Sequence, residues 1–372
     1  MDASLPANIP LVDLAAQHAE VESEVLSGLE GVFATTAFIG GAAVGQFEEA
    51  YAAWLGVDHC IGVANGTDAL ELALRATGVG PGCEVVLPVN TFIATAEAVV
   101  RIGATPVFVD VDPVHLLIDP AQVAEAVGKR TQAIVPVHLF GQTAPVEQLR
   151  ALAESCGAVI IEDAAQAQGA TRHGSPAGSL GAAAGTSFYP GKNLGAAGDA
   201  GAVTTDDPEV ARRVRMLAAH GSATKYVHDV VGFNSRLDTI QAVILNAKLR
   251  RLSAWNDSRR EAAARYSEML DDVPGASAPI SAEGNDDAWH LYVIRVADRD
   301  RVLALLNGAG IGAGIHYPTP LHLSGAFAHL GLGPGAFPVA EHAAGEILSL
   351  PLHPHITIAQ QKFVVETLRA AL

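Results

Sequence analysis

Residues 157–166 read Gly157-Ala158-Val159-Ile160-Ile161-Glu162-Asp163-Ala164-Ala165-Gln166. A short apolar run that ends on a carboxylate is the signature of a strand buried on both faces. Val146–Cys156 ahead of it has helical character, and the same alternation extends to either side. Val85–Pro88, Thr105–Asp110, Ala133–Leu139, Ala158–Asp163, Thr186–Phe188 and Gly201–Thr205 are the strand candidates. Asp68–Thr77, Thr95–Ile102 and Pro120–Val127 are further helices. Apolar strands interleaved with helices predict an α/β fold with a mostly parallel sheet sandwiched by helices. In such folds ligands gather at the carboxyl ends of the strands.

Further out, residues 1–55 read as helical, with Leu14, His18, Val21, Val25 and Leu29 spaced to form one apolar face. Asp207-Pro208-Glu209 opens a helix with a capping carboxylate and a first-turn proline, and Gly221 closes it. A long helical region spans about Thr239–Leu270, followed by a strand (His290–Val296) and a helix (Arg299–Gly308). The expected division is a large domain, 1–256, and a smaller C-terminal α+β domain, 257–372.

The 372 residues carry 40 acidic and 23 basic side chains, a formal charge of −17, with 49% hydrophobic content. That balance argues against a nucleic-acid or anionic-membrane surface but leaves room for one phosphate-bearing small molecule. Cys60, Cys83 and Cys156 show no metal or disulfide spacing, and no metal is expected. No apolar run reaches the ~18 residues of a membrane span, and no secretory leader pattern opens the chain. A cytoplasmic location is the expectation.

Asp163 closes its strand where a buried carboxylate is costly unless something positive meets it. A helix cap or structural ion pair would also account for it, and for Asp110 that plainer role is preferred. Lys192 sits in the turn Ser187-Phe188-Tyr189-Pro190-Gly191-Lys192-Asn193-Leu194-Gly195, after an apolar strand. A surface position is the plainer alternative. A nucleotide-triphosphate loop fails on spacing, because Gly185 and Gly191 have five residues between them rather than four and Asn193 follows the lysine. Gly66-Thr67-Asp68 opens a helix with free backbone amides, which serves either as a cap or as an anion site. A phosphate cradle, a strand-end Asp and a turn Lys together suit pyridoxal phosphate. The Lys bonds the aldehyde, and the Asp keeps the ring nitrogen protonated.

These features, in order, resemble the DegT/StrS family of nucleotide-sugar aminotransferases nearly end to end. The resemblance is carried by Ile9–Leu14, Asn65–Leu70, Pro88–Thr95, Val137–Gly141, Ile161–Ala167, Ser187–Gly201 and Gly232–Leu237. His316-Tyr317-Pro318 and Ser349–Leu352 complete it. It implies the fold-type-I aminotransferase fold, pyridoxal 5′-phosphate with pyridoxamine 5′-phosphate as its second form, and a homodimer with shared active sites. By the resemblance, Lys192 looks like the cofactor lysine and Asp163 like the partner of the ring nitrogen. Gln166 would reach the phenolic oxygen and Phe92 would stack on the ring. Gly66, Thr67 and Ser187 look like phosphate contacts, and Asn193 is placed with the cofactor group. Asn234 resembles an asparagine that reaches the phosphate from the neighbouring subunit. Arg236, His316, Tyr317 and His322 are the candidate substrate contacts.

Within the family, Tyr189–Ala202 looks most like enzymes acting at carbon 3 of a dTDP-3-keto-6-deoxyhexose, with L-glutamate as donor. A 4-aminotransferase is the neighbouring alternative. A sugar dehydratase of this fold commonly replaces the lysine, which Lys192 argues against. A non-catalytic, cofactor-binding regulator would be expected to lose site residues, and here the set is intact.

Overall fold

In a computed structural model that describes residues 8–372, Val159–Asp163 is the central strand of a seven-stranded sheet. In chain order the strands are β1 (His59–Val63), β2 (Glu84–Pro88), β3 (Thr105–Val109), β4 (Thr131–Ile134) and β5 (Val159–Asp163). They are followed by β6 (Ala183–Ser187) and β7 (Gly201–Thr205). Across the sheet the order is β1-β7-β6-β5-β4-β2-β3, and β7 alone runs antiparallel to its neighbours.

Alternation along β2 shows why the strands read as continuous apolar runs. Val85 and Leu87 face one core with helices α4 (Gly66–Ala76), α5 (Ile93–Arg101) and α8 (Pro208–Ala218). Val86 faces the other, with α6 (Pro120–Ala126) and α7 (Val146–Cys156). Helices on both sides leave neither face a reason to be polar. Asp207 caps α8 through the amides of Glu209 and Val210, as its sequence suggests.

Helix α9 (Thr239–Leu270) joins the two halves of the molecule. Its Leu245, Leu249 and Leu252 pack with α3 (Ala42–Leu55) under the large sheet. Its Ala262, Ala263, Tyr266 and Leu270 pack instead on β8 (Tyr292–Val296), α10 (Arg299–Gly308), β9 (Ile347–Leu350) and α12 (Ile358–Ala371). The expected boundary at 256/257 therefore falls inside one unbroken helix, at the point where its packing partners change. A second helix of the small half, α11 (Pro338–Glu346), is capped by Asp110, which accepts from the amides of Val339 and Ala340 at 2.9 Å each. That is a structural role for Asp110.

Three details differ from the sequence reading. The strand read at Ala133–Leu139 stops at Ile134, because Pro136 has no N–H for the ladder and Leu139–Gly141 turns with Phe140 at φ 63°. β6 begins at Ala183 rather than Thr186; its alanines and glycine carry no β-branched pattern to announce it. The single amino-terminal apolar face is interrupted between α1 (Leu14–Ala19) and α2 (Glu22–Thr35). Val21 and Val25 are buried, but Leu14 is 41% exposed; residues 1–7 of that helical reading lie outside the described residues.

Leu149 on α7 is fully enclosed in the second core, whereas Leu305 on α10 is 47% exposed. Leu149→Ala should cost about 2–5 kcal/mol and Leu305→Ala less than about 0.5, read from urea unfolding midpoints.

Candidate active site

A cavity of about 610 Å³ opens where β1, β2, β5 and β6 end, with segments of the small half closing its far side. It is lined by Asn65, Gly66 and Thr67 after β1, Thr91 and Phe92 after β2, Asp163 and Gln166 at and after the end of β5, and Ser187, Tyr189, Gly191 and Lys192 at and after the end of β6. His290, His316 and Tyr317 face them, with Leu11 and Val12 at the side.

Asp163 is buried, and burial pushes its carboxyl above the usual range. Among the groups that counter this, the Thr95 hydroxyl donates to Oδ2 at 2.7 Å, the Ala165 amide donates to Oδ1 at 3.1 Å, and Lys192 supplies positive charge. Thr91 Oγ1 lies 2.9 Å from Thr95 Oγ1 and completes a short hydroxyl chain behind the carboxylate. Desolvation pulls the Lys192 ammonium down to about 8, with Asp163 opposing the shift. Desolvation wins for the lysine because it acts on the charge directly, while the carboxylate acts across the cavity. An amine so placed is available as a nucleophile near neutral pH.

The turn that carries Lys192 is held from below. Lys248, buried on α9, donates through Nζ to the Gly195 carbonyl at 2.7 Å, and the Phe188 amide donates to Ala200 O at 2.8 Å. Gly195 lies so close to Pro190 that a Cβ there would meet its carbonyl oxygen at 2.2 Å. The loop can close only around a glycine at this position.

The anion cradle has the same character. Asn65 caps α4 by accepting from the Asp68 amide at 2.8 Å, which leaves the amides of the first turn pointing toward the cavity. A Cβ on Gly66 would meet the Ser187 Cβ at 2.6 Å, and one on Gly201 would meet Asn65 O at 2.5 Å. Helix start, hydroxyl and strand end are thus drawn together around a space with room for a phosphate. An aldehyde-bearing aromatic phosphate fits this donor set: amides for its phosphate, an amine for its aldehyde, and a buried carboxylate for a ring cation.

Of the residues singled out in the sequence, Lys192, Asp163, Gly66, Thr67, Phe92, Gln166, Ser187, His316 and Tyr317 line this one cavity. Gln166 accepts from the Phe140 amide at 2.7 Å and donates to the Tyr317 hydroxyl at 3.0 Å, bridging the two halves. Phe92 is 52% exposed and leans on Tyr317 at 5.4 Å between ring centroids, so a flat apolar face remains open. His316 is tied through Nδ1 to Ser349 Oγ at 2.8 Å, and burial holds it down to about 4.

Two expectations need correction. Asn193 does not face the cavity: its amide donates to Asn256 Oδ1 at 2.9 Å and Ala288 O at 2.8 Å, because an alternating turn sends it inward when Lys192 points out. His322 is also turned away. It is buried against Phe337, with Nε2 3.0 Å from Glu341. Asn234 and Arg236 are exposed and contribute nothing to the cavity of their own chain. Thr95, Lys248 and His290 were missed. Thr95 reads as an ordinary helix residue and His290 as the start of a strand, and no local spacing signals that the fold returns them to the site.

A family model described as the DegT/DnrJ/EryC1/StrS aminotransferase family matches residues 20–369. The chain is 48% identical to a protein of Saccharopolyspora erythraea named erythromycin biosynthesis sensory transduction protein EryC1, over 98% of this chain and 99% of that one. It is 43% identical to the dTDP-3-amino-3,4,6-trideoxy-alpha-D-glucose transaminase of Streptomyces venezuelae, covering 97% of this chain and 95% of the relative. Among solved structures, S. venezuelae DesV in complex with a ketimine intermediate superposes with a TM-score of 0.95, at 43% identity over 98% of each chain. Other matching relatives are named as aminotransferases of UDP-linked sugars.

The depressed Lys192 gives a pH signature. Only the neutral amine attacks an aldehyde, so the rate at which added pyridoxal phosphate develops its yellow absorbance should rise with pH and level off above about 8. A rise that continues toward the ordinary lysine value of about 10.4 would show the amine to be solvated.

Proposed function

The chain belongs to the DegT/DnrJ/EryC1/StrS aminotransferase family, and on that premise we propose that it moves the amino group of L-glutamate to carbon 3 of a dTDP-linked 3-keto-6-deoxyhexose. The observation that carries this reading is one cavity holding a lowered lysine, a buried carboxylate and a phosphate cradle together. Pyridoxal phosphate, when bound, supplies an aldehyde that can exchange amino groups and a ring that takes up electron density.

Lys192 does two jobs. Its Nζ would hold the cofactor through the aldehyde, and as a free neutral amine it would take the proton from the donor carbon and return it nearby. In the second half the same amine moves a proton in the reverse sense at the sugar carbon. Burial raises the pKa of Asp163 while Thr95, Ala165 and Lys192 act in favour of its carboxylate, and that carboxylate would hold a proton on the ring nitrogen. The amides of Gly66 and Thr67 with the Ser187 hydroxyl would hold the phosphate, and Phe92 and Tyr317 would cover the ring face.

Carbon 3 is favoured by the likeness of the Tyr189–Ala202 loop to enzymes acting there, and dTDP by the named function of the S. venezuelae relative. A UDP sugar or a 4-keto sugar is the alternative that the same cavity would serve. The sensory name of the S. erythraea relative raises a binding-only role. A binding role gains nothing from a lysine held near its reactive pKa.

The active unit in this reading is a homodimer. Tyr226, Val227 and Val231 are large, apolar and more than half exposed, on the same stretch as Asn234 and Arg236. A second copy laid on this stretch would cover them and bring Asn234 and Arg236 to the partner's cavity.

Lys192→Ala should abolish steady-state amination while leaving the fold and some cofactor binding; measurable turnover by that variant would end the proposed role. Asp163→Asn should lower kcat about 100-fold, equivalent to ~2.7 kcal/mol. Assayed with 3-keto and 4-keto sugars on dTDP and UDP, the wild type should favour the dTDP 3-keto compound. Mixing inactive Lys192→Ala chains with weakened Asn234→Ala chains should restore activity above that of either alone, since each mixed dimer regains one intact site.

A further inference from the structure

His290 lies in the cavity wall yet has no part in the account above. Its position is strongly constrained. Gly141, at φ +102°, lets the 288–291 segment approach so closely that a Cβ there would meet the His290 amide at 2.6 Å. The Ala288 amide donates to Gly141 O at 2.9 Å and the Leu291 amide to Phe140 O at 3.1 Å. The ring is equally constrained. His290 Nδ1 lies 3.2 Å from Asn193 Oδ1.

The direction of that bond follows from two backbone carbonyls, which can only accept. Asn256 Nδ2 donates to Gln168 O at 2.8 Å, so Asn256 turns its oxygen toward Asn193. Asn193 Nδ2 donates to that oxygen and to Ala288 O, so Asn193 in turn presents its oxygen to the histidine. His290 must therefore carry its proton on Nδ1, and the Nε2 lone pair is left unpartnered among the described residues, in a ring that lines the cavity with Lys192.

We propose that His290 is a positioning residue for Lys192: its Nε2 accepts an N–H of the ε-amine and so aims the amine's own lone pair at the substrate carbon. Asn193, next to Lys192 in the chain, and Asn256 hold the imidazole in the tautomer this requires. No proton passes to His290. The proton leaving carbon stays on the lysine nitrogen, whose remaining N–H bonds still have Nε2 as acceptor. Burial, with Lys192, Arg259 and His316 as the basic groups facing it, keeps the ring neutral and hence an acceptor throughout. The inverted arrangement, Nε2–H with an Nδ1 lone pair, would set two acceptors, Nδ1 and Asn193 Oδ1, against each other in a buried site.

This role rests on the aminotransferase reading, and its test separates the two. In cofactor-free protein, ¹⁵N spectra of the histidine rings should show one pair, absent from His290→Asn, with Nδ1 protonated and Nε2 unprotonated. Lys192→Met should shift that Nε2 signal. In the wild type loaded with pyridoxal phosphate, L-glutamate alone should bleach the yellow band; failure there counts against the aminotransferase reading, not this one. His290→Asn keeps an N–H for Asn193 but loses the lone pair, and should slow bleaching roughly 10- to 100-fold at saturating glutamate with cofactor retained. His290→Gln, whose amide oxygen reaches further toward the cavity, should recover part of the rate. An Nε2 signal indifferent to Lys192→Met, or a His290→Asn variant that bleaches at the wild-type rate or loses only glutamate affinity, would overturn the proposal.

Discussion

Setting the buried Asp163 carboxyl and the half-buried Lys192 amine on one cavity is the constraint on which the remaining architecture depends. Each alone would be forced toward its neutral form, and the directions of their shifts show both feeling that pressure. Asp163 has donors close at hand in Thr95 and the Ala165 amide, so its charge is met locally. At Lys192 desolvation outweighs the opposing charge of Asp163, and the amine is lowered to about 8. The pairing is chemically useful: a carboxylate braced by local donors sits with an amine that can serve as a base near neutral pH.

The strands make the arrangement possible. A parallel sheet brings the carboxyl ends of β1, β2, β5 and β6 to one edge, so residues far apart in sequence meet without long loops. The reversed strand β7 returns the chain from the Lys192 turn and seats Gly201 against Asn65, which ties the lysine loop to the phosphate cradle. The long helix α9 serves both halves, supporting the lysine turn through Lys248 and carrying Asn256 into the network behind His290.

Much of this was legible in the residues. The apolar runs named the strands because both faces of the sheet are covered, and Asp207-Pro208 named a helix start because its cap is local chemistry. The ends of α9 also followed from local pattern. Lys192, Asp163 and Gly66 stood out because each breaks a local rule: a charge at a buried strand end, a lysine in a tight turn, free amides at a helix start. What stayed hidden depends on direction and distance. Asn193 looked like a cofactor contact through its neighbour, yet in a turn consecutive side chains diverge. His322 sits in a polar-looking loop but is paired with Glu341. Thr95, Lys248 and His290 obey their local patterns, so only the folded chain shows that they converge.

The most direct test of the central claim is the absorption spectrum of the protein with pyridoxal phosphate, before and after L-glutamate alone. The account predicts a yellow protein whose band disappears as 2-oxoglutarate is released in stoichiometric amount. A protein that never turns yellow, or one that stays yellow whatever amine is offered, would contradict the assignment of Lys192 and Asp163 as a working pair.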